Sequence, residues 1–177
     1  MAVWKLLGLD PKKWTGHASQ SASPETETVR KIVQELDRLE PERARYIAAF
    51  AYLLSRVAYA DQNISPEETR EMERMVIERG GLPEEQAILI VQMAKTQSLL
   101  FSGTENFLVS REFEKISSRE QKLALLDCLY AVCAADRSIS TQEDNEIGKI
   151  SMELQLSHED FIAVRLNYRE HLAVLKK

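Results

Sequence analysis

The pattern of apolar and polar positions is helical along most of the chain. Residues 42–60 and 118–135 are apolar on nearly every side, which is typical of helices in a protein interior. Other segments carry a single apolar stripe at helical spacing, such as Met72, Met75 and Val76. No segment shows the alternation that is typical of strands. The sequence therefore predicts an all-α, multihelical fold.

Serine and glutamate residues predict where two of the helices begin. Ser65 is followed three residues later by Glu68, and Ser140 by Glu143. In such a capping box, the serine and the glutamate each bond the backbone N–H of the other residue. We therefore expect one helix to begin just after Ser65 and another just after Ser140.

Glycine and proline divide the segment after the first of these helices. Two consecutive glycines, Gly80 and Gly81, are expected to end it. Pro83 then begins another helix, which is expected to run to about Gln97. Ile88 and Val91, with Met93, are expected to face inward.

One stretch of sequence occurs twice, 75 residues apart. Between Val57 and Glu71, seven of fifteen positions are identical to those 75 residues later. We interpret this as an internal duplication of a four-helix unit, with repeats of about residues 26–100 and 101–175. The two apolar helices would then pack against each other at the centre, about a pseudo-two-fold axis.

The beginning of the chain differs from the rest. Residues 1–25 combine an apolar and basic stretch, residues 1–15, with a polar linker, and the helical domain is predicted for residues 26–175. The first stretch is a candidate for contact with a membrane surface, with a protein partner or with the domain itself. The residues that would make this contact are Trp4, Leu7 and Trp14.

Composition narrows the classes of function. A net charge of −5 gives no general positive field, so we expect no nucleic-acid partner. No apolar run reaches the roughly 18 residues that span a bilayer, and no signal-peptide pattern begins the chain, so we expect a cytoplasmic protein.

Cys128 and Cys133 are expected to be buried and reduced. The sequence contains no glycine-rich phosphate-binding loop and no pattern of a nucleophile with a base, so we do not expect an enzyme.

Acidic residues concentrate at both copies of the repeated stretch. Asp61 and Asp136 each follow an apolar helix, where the negative end of the helix dipole disfavours a carboxylate. One explanation is structural, because aspartate accepts N–H bonds from residues two or three positions later and shapes a turn. The other explanation is a bound divalent cation.

The cation hypothesis makes a specific set of residues candidate ligands. They are Asp61, Asn63, Glu68, Glu71, Asp136, Ser138, Glu143 and Glu146. Oxygen-rich corners between helices bind cations such as Ca²⁺, Mg²⁺, Mn²⁺ or Zn²⁺. The spacing is not that of an EF-hand, since no glycine is at the sixth position and no glutamate at the twelfth.

The motif Ala-Asp-x-x-Ile-Ser-x-x-Glu occurs in both copies, at Ala60–Glu68 and Ala135–Glu143. It resembles the tellurite-resistance TerB family, over about residues 26–175. It is similar also to the related N-terminal domain of membrane-anchored DnaJ-like co-chaperones. The resemblance implies an all-helical duplicated fold and a non-enzymatic bacterial stress-response scaffold or adaptor. It also implies metal binding by acidic clusters and membrane-associated protein partners.

The resemblance carries over to only a few positions. They are Asp61, Ile64, Glu68, Asp136, Ile139 and Glu143. Many family members have glycine directly after the aspartate, where this chain has Gln62 and Arg137. The positive charge of Arg137 disfavours a cation at the second corner. The alternative function is a pure protein-interaction module or a membrane-peripheral protein, with metal-free acidic turns. A helical hydrolase, which would have a pocket with converging carboxylates and a bound metal, also stays open.

Overall fold

The computed structural model describes residues 39–100 and 104–175 of the 177-residue chain. Within these ranges the protein forms seven α-helices and no strand. The helices are α1 (Pro41–Ala58), α2 (Pro66–Gly80), α3 (Glu84–Leu100), α4 (Thr104–Ile116), α5 (Arg119–Cys133), α6 (Thr141–Glu153) and α7 (His158–Leu166). The all-α prediction is confirmed. The predicted contact residues Trp4, Leu7 and Trp14 lie outside the described residues.

Helices α1 and α5 form the centre of the molecule and pack against each other. Every residue of α1 from Ile47 to Ala58 is at most 6% exposed, and most of α5 from Leu125 onward is buried. This confirms that the two segments that are apolar on all sides lie in the interior. Helices α2, α3 and α4 surround α1, whereas α6 and α7 pack on α5. The internal duplication stays a prediction.

Capping boxes begin four of the described helices. The serine before each of α2, α5, α6 and α7 accepts a hydrogen bond from the third residue of the helix, whose side chain bonds the serine N–H. Both boxes named from the sequence, at Ser65 and Ser140, are present. At the other end of α2, Gly81 has φ 62°, a left-handed conformation that glycine adopts at low cost.

Helix α3 differs from its prediction in length and in orientation. It continues to Leu100, three residues beyond Gln97. Ile88 was expected to face inward and is 38% exposed, whereas Ala87 and Val91 are fully buried. The prediction for Ile88 is wrong because α3 is apolar on several sides, so that no single stripe in its sequence marks the inward face. Contact with α1 and α2 determines which residues are buried.

A buried arginine joins α1 to the second half of the chain. The Arg56 guanidinium bonds Glu146 at 2.7 Å and Glu153 at 2.6 Å, both on α6. It also donates to the Ser110 hydroxyl of α4 at 2.9 Å. Because Arg56 is only 6% exposed, these partners compensate for the loss of its hydration.

Among the helices that the structure describes, none is both long enough and apolar enough to cross a bilayer.

Candidate metal centre

The two aspartates of the repeated motif make the same local hydrogen bond. Asp61 Oδ1 accepts the N–H of Asn63 at 3.0 Å, and Asp136 Oδ1 accepts the N–H of Ser138 at 2.9 Å. All four residues are exposed. These bonds close each corner between two helices, as the structural explanation of the aspartates requires.

Two further candidate ligands bond to cations of the chain itself. Glu71 pairs with Arg74, one turn along α2. Glu146 pairs with Arg56 and with Lys149, which together hold its pKa below the usual range although burial raises it. A carboxylate that a guanidinium already neutralises has less to gain from a metal ion.

The last two candidates, Glu68 and Glu143, do come together, and they meet a third residue. One carboxylate oxygen of each and the thiol of Cys133 all lie within 4.8 Å of one another. Glu68 and Glu143 are each 3% exposed and Cys133 is fully buried. We call these three residues the acidic cluster.

The capping boxes position both glutamates of the cluster. Each is the third residue of its helix, and its Oε2 accepts the serine N–H before that helix at 2.7 Å, from Ser65 or from Ser140. These bonds fold each side chain back over the beginning of its helix. Helix α2 packs against α5 and against the 3-10 turn that follows α5. Glu68 therefore reaches the corner at the beginning of α6, where Glu143 lies.

Cys133 was not among the ligands predicted from the sequence. At the end of α5 it was expected only to be a small buried apolar residue. The residue 75 positions earlier is Ala58, so the repeated motif has no thiol in its first copy. Only the tertiary arrangement places the sulfur beside the two carboxylates.

The electrostatics of the cluster require a positive species between the carboxyl groups. Burial, together with the facing Glu143, raises the pKa of Glu68 to about 8, although the hydrogen bonds with Ser65 act in the opposite direction. Burial likewise raises the pKa of Glu143, and burial with both glutamates raises that of the Cys133 thiol. In the described ranges no ion pair reaches either carboxylate. The two groups must therefore share a proton or bind a cation at neutral pH.

The donors of the cluster fit a cation with few ligands. Two carboxylate oxygens and a sulfur are three donors, a number found in four-coordinate sites that leave one position open. Calcium usually takes six to eight oxygen ligands, more than this buried cluster supplies. The residues present therefore fit a divalent cation of low coordination number.

A groove near these helices is a separate feature. It lies between α6 and α7, encloses about 460 Å³ and is lined by residues that include Gly148, Met152 and Phe161. None of the three cluster residues lines it. A molecule in this groove would not touch the cluster.

The chain matches the family model described as tellurite resistance protein TerB over residues 46–166. This match covers more than half of the chain. It extends from within α1 to the last residue of α7 and includes all three residues of the acidic cluster. No curated protein and no solved structure matches the chain.

Proposed function

The chain belongs to the tellurite-resistance TerB family, and on this premise we propose that it is a stress-response scaffold or adaptor that binds a divalent cation at the acidic cluster. The observation that carries the proposal is the pair of buried carboxyl groups, Glu68 and Glu143, facing each other and a thiol. Buried charges in proteins are ordinarily paired or bound to a metal.

A cation at this position would join the two halves of the chain. Glu68 belongs to α2 and Glu143 to α6, and each is fixed at its helix by a capping box. A shared ion would hold the beginnings of these two helices together and remove the repulsion between their carboxylates. Cation binding would thus stabilise the arrangement of helices that an adaptor presents to its partners.

The burial of the ligands supports a non-enzymatic role. A metal ion that acts in catalysis keeps a position open to substrate or water. Three protein donors would leave one position of a four-coordinate ion without a protein ligand. The donor residues are at most 3% exposed, however, and none of them lines the groove between α6 and α7, so a substrate in that groove would not reach this position. An ion in the cluster would be a structural or a sensing ion.

The protein-interaction module without a metal is the second candidate, and a set of exposed apolar side chains favours it. Four large apolar side chains at the end of α3 and the beginning of α4 are 52–66% exposed. They are Leu99, Leu100, Phe107 and Leu108. Exposed apolar patches mark sites of contact with proteins or membranes. An adaptor with this surface but no cation would show no response to metal ions.

Thermal unfolding with added metal tests the proposal. After treatment with a chelator, the full chain is titrated with Mg²⁺, Ca²⁺, Mn²⁺ and Zn²⁺. When the concentration of the free ion is about a hundred times its Kd, binding stabilises the folded protein by about 2.7 kcal/mol. This raises the Tm by roughly 5–10 °C. The double variant Glu68→Gln, Glu143→Gln is expected to lose this increase.

A second double variant serves as the matched control. Asp61→Asn, Asp136→Asn keeps the oxygens that close the two turns and leaves the acidic cluster intact, so its response to metal is expected to equal that of the wild type. If none of the four ions raises the Tm of the wild type, the cation part of the proposal is wrong and the metal-free module remains.

A further inference from the structure

Cys133 is the residue of the acidic cluster that distinguishes it from an ordinary site for a hard cation. It is the last residue of α5 and is fully buried. Its sulfur lies within 4.8 Å of a carboxylate oxygen of both Glu68 and Glu143. A thiol beside two carboxyl groups is a weak hydrogen-bond donor, but a thiolate is a strong ligand for zinc and similar metals.

We propose that Cys133 supplies a thiolate ligand to the cation site and makes that site selective for zinc-class ions, Zn²⁺ and Co²⁺, over Mg²⁺ and Ca²⁺. This inference rests on the proposed function, because it names the class of cation that the same site takes.

The number and type of donors support this selectivity. One oxygen of each glutamate already accepts a backbone N–H, at Ser65 and at Ser140, which leaves the cluster poor in free oxygens. Mg²⁺ demands six oxygen ligands in octahedral geometry and Ca²⁺ takes more. Zn²⁺ is satisfied by four ligands of mixed sulfur and oxygen type.

The rest of the chain offers a comparison for the thiol. Cys128, on the same helix, is also buried at 3% exposure but does not belong to the cluster. Ala58, 75 residues before Cys133, is fully buried at the end of α1. Alanine is therefore tolerated at the end of a central helix, and Cys133→Ala is a conservative test of the sulfur.

Cobalt titration of the full, chelator-treated chain tests the inference. Cobalt bound to a thiolate gives an intense near-ultraviolet charge-transfer absorption, which oxygen ligands do not give. We expect this band in the wild type and in Cys128→Ala, and its loss in Cys133→Ala. We also expect Zn²⁺ to bind the wild type on the order of 100-fold more tightly than Mg²⁺, and Cys133→Ala to lose most of this preference.

The outcomes separate this inference from the proposed function. If cobalt binds to the wild type and to Cys133→Ala equally and without the band, the thiolate is not a ligand and the inference is wrong, while the cation site stands. If no ion binds to the wild type, both are wrong. Should Cys133→Ala fail to fold, X-ray absorption at the zinc edge of the wild-type protein shows directly whether sulfur is bound. An environment of oxygen and nitrogen alone would overturn the inference.

Discussion

Gln62 and Arg137 have a left-handed backbone, with φ values of 67° and 70°. Each follows the aspartate of the repeated motif, whose side chain accepts the N–H of the residue after them. Residues with a Cβ atom adopt this conformation at a cost of about 1–2 kcal/mol, which glycine does not incur. The left-handed turn is therefore a position at which glycine would be favoured over Gln62 or Arg137.

We predict that Gln62→Gly stabilises the protein by about 0.5–1 kcal/mol. The gain is smaller than the conformational cost that it removes, because glycine also increases the entropy of the unfolded chain. Gln62 is exposed, so that few side-chain contacts are lost. Chemical denaturation of the two proteins side by side would measure the difference.

The same substitution inside a helix provides the control. Gln92 is exposed in the middle of α3, and Gln92→Gly is expected to destabilise the protein by about 1 kcal/mol. If the free energy of unfolding rises in Gln62→Gly and falls in Gln92→Gly, the left-handed backbone at Gln62 explains the gain. Equal losses would show that the left-handed turn at Gln62 costs the protein nothing.

At the level of helices, Arg56 shows how α1 and α6 are joined. Its guanidinium is almost completely buried and contacts Glu146 and Glu153 of the other half of the chain. The bonds to these two glutamates raise its pKa further, although burial acts in the opposite direction. The arginine therefore remains charged. Its removal would take the guanidinium from two partly buried carboxylates and leave Glu146 with Lys149 alone.

We predict that Arg56→Ala destabilises the protein by roughly 3–5 kcal/mol, the cost typical of breaking a buried ion pair. Arg74 is the matched control, because it also pairs with two glutamates, Glu71 and Glu78, but along the exposed side of one helix. Arg74→Ala is expected to cost less than about 1 kcal/mol. Urea denaturation of both variants measures the difference, and similar losses would contradict the role given to Arg56.

Features that depend on nearby residues were predictable from the sequence. The capping boxes at Ser65 and Ser140 bond atoms only three residues apart, so the local sequence specifies them. The burial of α1 and α5 was predictable as well, because a helix that is apolar on all sides has no face to offer to water. In contrast, the inward face of α3, with Ile88 exposed, depends on its neighbours.

The candidate site was predictable only in part, for the same reason. Glu68 and Glu143 were among eight candidate ligands, but their sequence positions resemble those of Glu71 and Glu146. What distinguishes the first pair is the contact between α2 and the end of α5, which brings the two helix beginnings together. The position of Cys133 beside them follows from that contact and from no sequence motif.

At the scale of the whole molecule, the acidic cluster links its protonation to the stability of the fold. Glu68 from α2 faces Glu143 from α6 and the Cys133 thiol from α5, and the charge of Asp61 at the neighbouring corner acts on that thiol. All of these groups are neutral or negative. In the metal-free protein, the two glutamates therefore share a proton.

We predict that the stability of the metal-free protein decreases as the pH rises from about 4.5 to about 8. Burial raises the pKa of Glu68 from 4.5 to about 8, so the folded protein keeps a proton that the unfolded chain releases above pH 4.5. The stabilisation is complete below the pKa of the unfolded chain, 4.5. It decreases as the pH rises towards the pKa of the folded protein, about 8, and is lost above that pKa. The loss amounts to roughly 2–5 kcal/mol and is measured by urea denaturation in the presence of a chelator.

Replacing one carboxyl group should remove this dependence on pH. In Glu68→Gln, the amide oxygen can still accept the Ser65 N–H, and the amide NH₂ can donate to Glu143 without a titrating proton. The variant is therefore expected to be more stable than the wild type at pH 9 and to show a flat profile. Glu67→Gln, at an exposed neighbouring position, should keep the slope of the wild type. A slope that persists in Glu68→Gln would mean that other groups release the proton, because the shared proton of the cluster is absent from that variant.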